Sequence, residues 1–187
     1  PILHALFNDP TEIVRRSVAN NLNDIAKDNP DTVIEFAKQY IGENTQSDRT
    51  IKHACRTLLK QASPEAMALF GYDSADIELV EFKVLTEKVT MGKHAEFYFL
   101  IKNNSAEAKI IRIEYGLYFM KKNGQLTKKV FKISERSLLV NEIHQVLRKQ
   151  SFKPISTRVY HAGIHQVSII LNGKEFEAKD FELISIK

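Results

Sequence analysis

The chain has 187 residues, of which 43% are hydrophobic and 27% charged, enough to bury one large core or two small ones. No apolar run approaches the roughly 18 residues of a membrane span, and Pro1-Ile2-Leu3-His4 has neither a basic leader nor a cleavage signal. Cys55 is the only cysteine, so an internal disulfide is excluded. With no Cys/His cluster at zinc-site spacing, the expectation is a cytoplasmic protein without metal or cofactor.

The net charge of +4 is unevenly spread. Residues 1–73 carry 8 Lys/Arg against 10 Asp/Glu, a balance of −2, and residues 74–187 carry 19 against 13, a balance of +6. The cationic half favours an anionic partner, although a solvated lysine-rich surface has the same composition. The missing initiator Met and an opening that reads as mid-helix lead us to expect a piece of a longer protein.

The first 70 residues carry helical periodicity. Ile13, Val14, Val18, Leu22 and Ile25 form one apolar stripe, with Asp9-Pro10-Thr11 as break and cap. Asn29-Pro30-Asp31 closes that helix and opens another, Thr32 to about Ile41. Gly42 to Ser47 reads as a polar loop, a third helix is expected from about Arg49 to Gln61, and Ser63-Pro64-Glu65 starts a short fourth ending at Gly71. A shift of 37 residues lays Val14-Arg15-Arg16-Ser17-Val18 on Ile51-Lys52-His53-Ala54-Cys55 and Leu22 on Leu59. That internal repeat predicts two HEAT-like units at the end of a longer α-solenoid.

From Ile77 the period changes to two. Segments 78–84, 96–101 and 110–119 read as strands, followed by 128–133, 142–152, 163–171 and 174–183, with tight turns at Asn123-Gly124 and Asn172-Gly173. About seven short strands in this stretch predict an immunoglobulin-like β-sandwich over residues 77–187, joined to helical repeats over 1–72. The fold class is therefore α plus β in two domains.

Two groups of side chains are candidates for chemistry. On the helix from Val14 to Lys27, the residues Arg16, Asn20, Asn23, Asp24 and Lys27 share one side, opposite the apolar stripe. Asparagines are poor helix formers, so these either bridge neighbouring helices or meet a ligand. In the next repeat Lys52, Arg56 and Lys60 recur at i, i+4 and i+8, a ridge able to follow phosphates or to remain a solvated face. His53 lies one position off it, and Cys55 reads as a core residue. No Gly-x-Ser-x-Gly elbow, P-loop or dinucleotide fingerprint is present.

The segment from Val14 to Asp28, VRRSVANNLNDIAKD, resembles the hallmark segment of AlkC-type DNA alkylation-repair glycosylases. The resemblance continues at Lys52–Lys60 (KHACRTLLK), at Ala68-Leu69-Phe70-Gly71, and at Ser151–Arg158 leading to Tyr160-His161-Ala162-Gly163 and Asn172-Gly173. It implies a helical scaffold that grips double-stranded DNA carrying alkylated bases and hydrolyses N-glycosidic bonds of the 3-methyladenine and 3-methylcytosine type. By position Asp24 is similar to an acidic residue of that family's active site. Arg15, Arg16 and Asn20 would lie at the lesion strand, Lys52, Arg56 and Lys60 along the backbone, and Lys121, Lys122 or Arg158 would give a second grip from the β-domain. The family's further glutamate, arginine and tryptophans have no counterpart here, and the chain has no Trp. The expectation is an enzyme as a whole protein and an inactive piece in isolation. A non-catalytic protein-interaction module of helical repeats and an Ig-like domain is the alternative.

Overall fold

In the computed structural model, which describes residues 1–185, the apolar stripe of the first long helix is only partly buried. Helix α2 (Glu12–Ile25) buries Val18, Ala19 and Leu22, whereas Ile13 is 71% exposed. It follows α1 (Ile2–Leu6) and is followed by α3 (Pro30–Tyr40), α4 (Thr45–Ala54), α5 (Arg56–Lys60) and α6 (Pro64–Leu69). Pro30 and Pro64 each stand at a first helical position, where no backbone donor is missed. Gly42 and Gly71 take positive φ just after α3 and α6. Phe7, Phe36 and Tyr40 stack into one aromatic cluster, with Phe7 and Tyr40 centroids 4.2 Å apart, and His4 Nδ1 is 2.8 Å from the Tyr40 hydroxyl. These helices form one unit, Pro1–Tyr72, with its own core.

The expected helix from Arg49 to Gln61 ends where the spacing put it but differs at its start and in its middle. It begins four residues earlier, because the Asn44 side chain accepts from the backbone N–H of Gln46 and of Ser47, both at 2.9 Å. It is also broken at Cys55. In an unbroken helix the Thr57 N–H would bond the carbonyl of His53; here it donates instead to Asn23 Oδ1 of α2, at 3.1 Å. A side chain inserted into the hydrogen-bond ladder breaks a helix. Cys55 itself is fully buried, and burial pushes its thiol up to about 11, in keeping with a core role.

In the second unit, Asp73–Lys187, the regular elements among the described residues are all strands. One sheet has the order β1-β3-β6, built from β1 (Ile77–Val84), β3 (His94–Asn103) and β6 (Ile143–Ser151). The other has the order β2-β9-β7-β4-β5, with β2 (Lys88–Thr90), β4 (Lys109–Met120), β5 (Leu126–Leu138), β7 (Gly163–Leu171) and β9 (Lys179–Ile184), and β8 (Lys174–Glu175) paired to β7. Alternate residues of β3 (Phe97, Phe99, Ile101) and β4 (Ile111, Ile113, Tyr115, Leu117, Phe119) face a common core. The expected strand 128–133 is more than twice as long. The expected strand 174–183 is two pieces, because its register against β7 slips by one residue between Glu175, opposite Ile170, and Lys179, opposite Val167. The short β2, which joins β9 in parallel, had no signal in the sequence pattern.

Two buried polar arrangements lock this unit. Asn103 donates through its amide to the carbonyls of Glu107, Leu138 and Leu139, and its oxygen accepts from Ser105 N–H and Oγ. It thereby ties the end of β3 to the β3–β4 connection and to the end of β5. On the non-core face of β4, Gly116 leaves room for Glu175, whose carboxylate accepts from Ser168 Oγ at 2.6 Å, from Tyr118 Oη at 2.7 Å, and from Lys128 Nζ. Burial and the adjoining Glu175 push the Tyr118 hydroxyl up to about 12. A Cβ at Gly116 would lie 2.6 Å from Ser168 Oγ and 2.9 Å from Lys128 Cε. Gly116→Ala is therefore expected to destabilise the protein by about 1–3 kcal/mol, measured as a lowered urea midpoint in chemical denaturation.

Candidate nucleic-acid interface

Helix α2 starts from Thr11, whose backbone is extended and whose N–H donates to Asp9 Oδ1 at 2.8 Å. Arg15 is turned back on this entry turn, with Nη1 donating to the carbonyls of Asp9 (2.6 Å) and Pro10 (2.8 Å). It pins the helix start as well as lining the surface. Arg16 and Asn20 are exposed, and Arg16 makes no hydrogen bond or ion pair among the described residues.

The polar side expected along α2 divides in two. Asn23, one of the five residues placed there, is 2% exposed. Its Oδ1 accepts from both the backbone N–H and the hydroxyl of Thr57, at 3.1 and 2.9 Å. This is an N-cap interaction supplied by another helix: Asn23 satisfies an orphan donor at the start of α5. Its neighbour Asp24 is on the solvent side. The Asp24 side chain is 68% exposed and Oδ1 accepts from Lys27 Nζ at 2.7 Å. The hydrogen bond from Lys27 and its charge hold the carboxyl below its usual range against an opposing effect of desolvation, with a lesser contribution from the charge of Arg56. Asp24 is thus an ionised carboxylate open to solvent at neutral pH.

Opposite α2, helix α4 presents Arg49 and His53 one turn apart. Together with Glu12, Arg15, Arg16, Ala19, Thr45, Gln46 and Thr50 they line a cleft of about 490 Å3. Arg56 Nη1 donates to His53 Nε2 at 3.3 Å. Burial, followed by the charges of Arg56 and Arg16, holds His53 below the usual imidazole range. The structure thus groups Arg16, His53, Arg56 and Asp24 on one surface.

The ridge Lys52–Arg56–Lys60 is not one straight row, because the break at Cys55 separates Lys52 on α4 from Arg56 and Lys60 on α5. Lys52 Nζ lies over the rings of Phe70 and Tyr72, 5.4 and 5.2 Å from their centroids. Arg56 and Lys60 are exposed. In the β unit, Lys121 and Lys122 are exposed on the turn between β4 and β5, where Gly124 N–H closes on the Lys121 carbonyl at 2.9 Å. Arg158 is half-buried, its guanidinium 4.3 Å from the centre of the Phe119 ring and 5.9 Å from that of Tyr160. Arg49 was not foreseen, whereas for Asn23 the structure takes the first of the two readings, a bridge between neighbouring helices. The signal for Arg49 was Asn44 as a cap: starting α4 at Thr45 puts Arg49 and His53 at i and i+4.

Among the described residues no group of three His, Cys, Asp or Glu is arranged to hold a metal, and no helix is long and apolar enough to cross a membrane. Residues 78–185 match the model of the YhaZ C-terminal Ig-like domain, a family described as uncharacterised. The chain belongs to the YhaZ family. Over 184 residues it is 42% identical to the uncharacterised protein YhaZ of Bacillus subtilis, covering 98% of this chain and 51% of that protein. It superposes with a TM-score of 0.93, at 29% identity, on the alkylpurine DNA glycosylase AlkC of Pseudomonas fluorescens bound to DNA containing an abasic site analog. That match covers 98% of this chain and 51% of AlkC. This YhaZ-family chain spans about half the length of both relatives. The resemblance to AlkC-type glycosylases read from the motifs is borne out, and the fold is AlkC-like, with helices followed by an Ig-like domain.

Because Asn23 takes the one backbone donor that separates α4 from α5, Asn23→Ala leaves that donor and the Thr57 hydroxyl without their acceptor. The expected loss is about 1–3 kcal/mol, read by thermal or urea denaturation. Asn23→Asp, which keeps the acceptor, should recover most of it.

Proposed function

We propose that this chain is the C-terminal part of a DNA glycosylase that removes N-alkylated bases of the 3-methyladenine and 3-methylcytosine type, contributing one active-site carboxylate and much of the DNA grip. In this reading the helices are the closing HEAT-like repeats of a curved scaffold, Asp24 is the catalytic residue, and Arg15, Arg16, Asn20, Lys52, Arg56 and Lys60 bind the strand. Lys121, Lys122 and Arg158 bind DNA from the Ig-like domain. The observation that carries the proposal is an ionised, solvent-open Asp24 at the edge of a cationic surface, on a fold like that of a DNA glycosylase.

The chemistry fits these side chains. Alkylation at N3 leaves the base cationic and makes it a good leaving group, so little proton donation to the base is required. What the reaction needs is negative charge near the sugar as its oxocarbenium character develops, and a group to orient water. An exposed carboxylate supplies both. A low pKa suits an electrostatic stabiliser, which has to be charged throughout the reaction. The neighbouring Arg56 and the cleft arginines hold phosphates and offset the repulsion between Asp24 and the DNA.

A second reading, a protein-interaction module, draws support from the outer face of the three-stranded sheet, where Val80, Ile143 and Leu147 are 45%, 57% and 56% exposed. Binding of duplex DNA across a salt titration separates the two readings. Glycosylase function predicts steep loss of affinity with salt. Lys52→Gln, Arg56→Gln and Lys60→Gln together should lower the slope of log affinity against log salt by about 2–3, and an unchanged slope removes these residues from the interface. DNA-independent behaviour at low salt favours the interaction module.

Excision of N3-methylated bases, assayed with the whole protein beside this chain alone, tests catalysis. The whole protein should turn over and the chain alone should not. In the whole protein Asp24→Asn should lower the single-turnover rate by about 100-fold or more while leaving DNA affinity near that of the parent. Because the Asp24 pKa is depressed, its contribution should persist down through mildly acidic pH and fade only as pH falls below the ordinary carboxylate range. Wild-type rates from Asp24→Asn would overturn the assignment.

A further inference from the structure

The cleft between α2 and α4 holds more positive charge than its own acids balance. Arg16 on one wall and Arg49 on the other are both exposed, and neither makes a hydrogen bond or ion pair among the described residues. Arg15 lines the same space but is engaged with the carbonyls of Asp9 and Pro10. Glu12 is the one acid among the lining residues, and Thr45, Gln46 and Thr50 add neutral polar groups. Facing guanidinium groups repel unless an anion lies between them, and the planar fork of arginine suits phosphate oxygens. A cleft of about 490 Å3 is ample for a phosphodiester.

We infer that this cleft seats one backbone phosphate of the DNA strand, held by Arg16, Arg49 and the His53 ring. The inference rests on the DNA-binding reading above and goes beyond it by assigning Arg49 and His53 and by coupling the seat to a proton. Arg56 has no lone pair to offer, so its contact with His53 Nε2 requires that nitrogen to be the acceptor, which leaves the ring proton on Nδ1. The free ring is therefore neutral. The charged groups around it are Glu12, Arg15 and Arg16 of α2, Arg49 of α4 and Arg56 of α5, with Asp24 beyond Arg56 and tied to Lys27.

A phosphate placed in this surplus of positive charge reverses the local balance and favours the imidazolium, which donates from both nitrogens. The Arg56 contact at Nε2 then gives way to a bond with the anion. Burial and the two arginines hold the pKa of the free ring down, and the phosphate raises it. A group with a higher pKa in the complex takes up a proton on binding, so affinity rises as pH falls through the imidazole range. Asp24 does not titrate there, since its pKa is moved the other way.

The test measures binding of an undamaged duplex to this chain at about pH 5.5 and about pH 7.5, bracketing the imidazole range. Parallel measurements use His53→Gln and Arg49→Gln. The native chain should bind about three- to tenfold more tightly at the lower pH. His53→Gln should lose most of that difference while still binding at the higher pH, and Arg49→Gln should lower the salt slope by about one at either pH. The proton-linked seat is overturned if His53→Gln keeps the native pH dependence, or if Arg49→Gln keeps the native salt slope; in both cases DNA binding itself survives. Absence of DNA binding at any pH sinks the seat and the DNA-binding reading together. The ring resonances of His53 distinguish sources of phosphate: they should shift with duplex, and a response to inorganic phosphate but not to duplex would overturn the assignment to a DNA strand.

Discussion

The helical unit depends on one side-chain amide. Asn23 Oδ1 accepts both polar hydrogens of Thr57, and in doing so converts what would be a single helix into α4 and α5. A buried amide oxygen with two donors is fully satisfied, so the arrangement is stable, while the same oxygen left bare costs about 1–3 kcal/mol. The consequence reaches the surface. Just past the break, the Arg56 guanidinium reaches His53 one turn back and lies within electrostatic range of Asp24. Asn23 and Asp24 are adjacent in sequence, so the residue that anchors the helix pair also sets the position of the carboxylate beside it.

The β unit reaches rigidity by a related route, with polar hubs rather than core volume alone. Asn103 makes bonds to three carbonyls and accepts two hydrogens, and the Glu175 carboxylate gathers Ser168, Tyr118 and Lys128 over the bare backbone of Gly116. Nearby, Arg112 and Glu114 pair at 2.6 Å while 4% and 1% exposed. Such a pair adds little net stability against an apolar replacement, but it fixes which residues of β4 face away from the core. With these hubs the two sheets keep their register, and the connecting turns, including the Lys121-Lys122 turn, are carried on a firm base.

Much of the architecture was legible because it is periodic. The change from helical to alternating spacing at Ile77, the Pro-marked helix starts and the Asn-Gly turns are local signals, and each corresponds to an element boundary. What the pattern could not reveal was set by distant partners. Nothing near Cys55 breaks a helix; the cause is Asn23, 34 residues upstream of Thr57. Nothing in residues 174–183 reads as two strands, because the division follows from a one-residue slip in their register against β7. Helical spacing also grouped Asn23 with Asp24 on one polar side, since a helical wheel carries no information on where the next helix lies. Among the candidate residues, Arg16, Asn20, Asp24, Arg56 and Lys60 are exposed where spacing put them, whereas Arg15 and Lys52 have local partners that only coordinates reveal.

Charge summed by segment points away from the helical unit Pro1–Tyr72, where 8 Lys/Arg stand against 9 Asp/Glu, a balance of −1. The resolution lies in what the acids do. Asp9 holds Thr11 N–H, Asp48 holds Gly42 N–H, Glu35 pairs with Lys38, Asp24 pairs with Lys27, and Glu65 accepts from Ser63. These carboxylates are committed within a few residues of themselves, to caps, turns and one-turn ion pairs, where their fields are largely cancelled. Arg16 and Arg49 have no such local partner and face one cleft. A unit with a net negative charge can therefore present a positive working surface, because what an approaching anion meets is the charge left uncancelled at close range and not the sum over the chain.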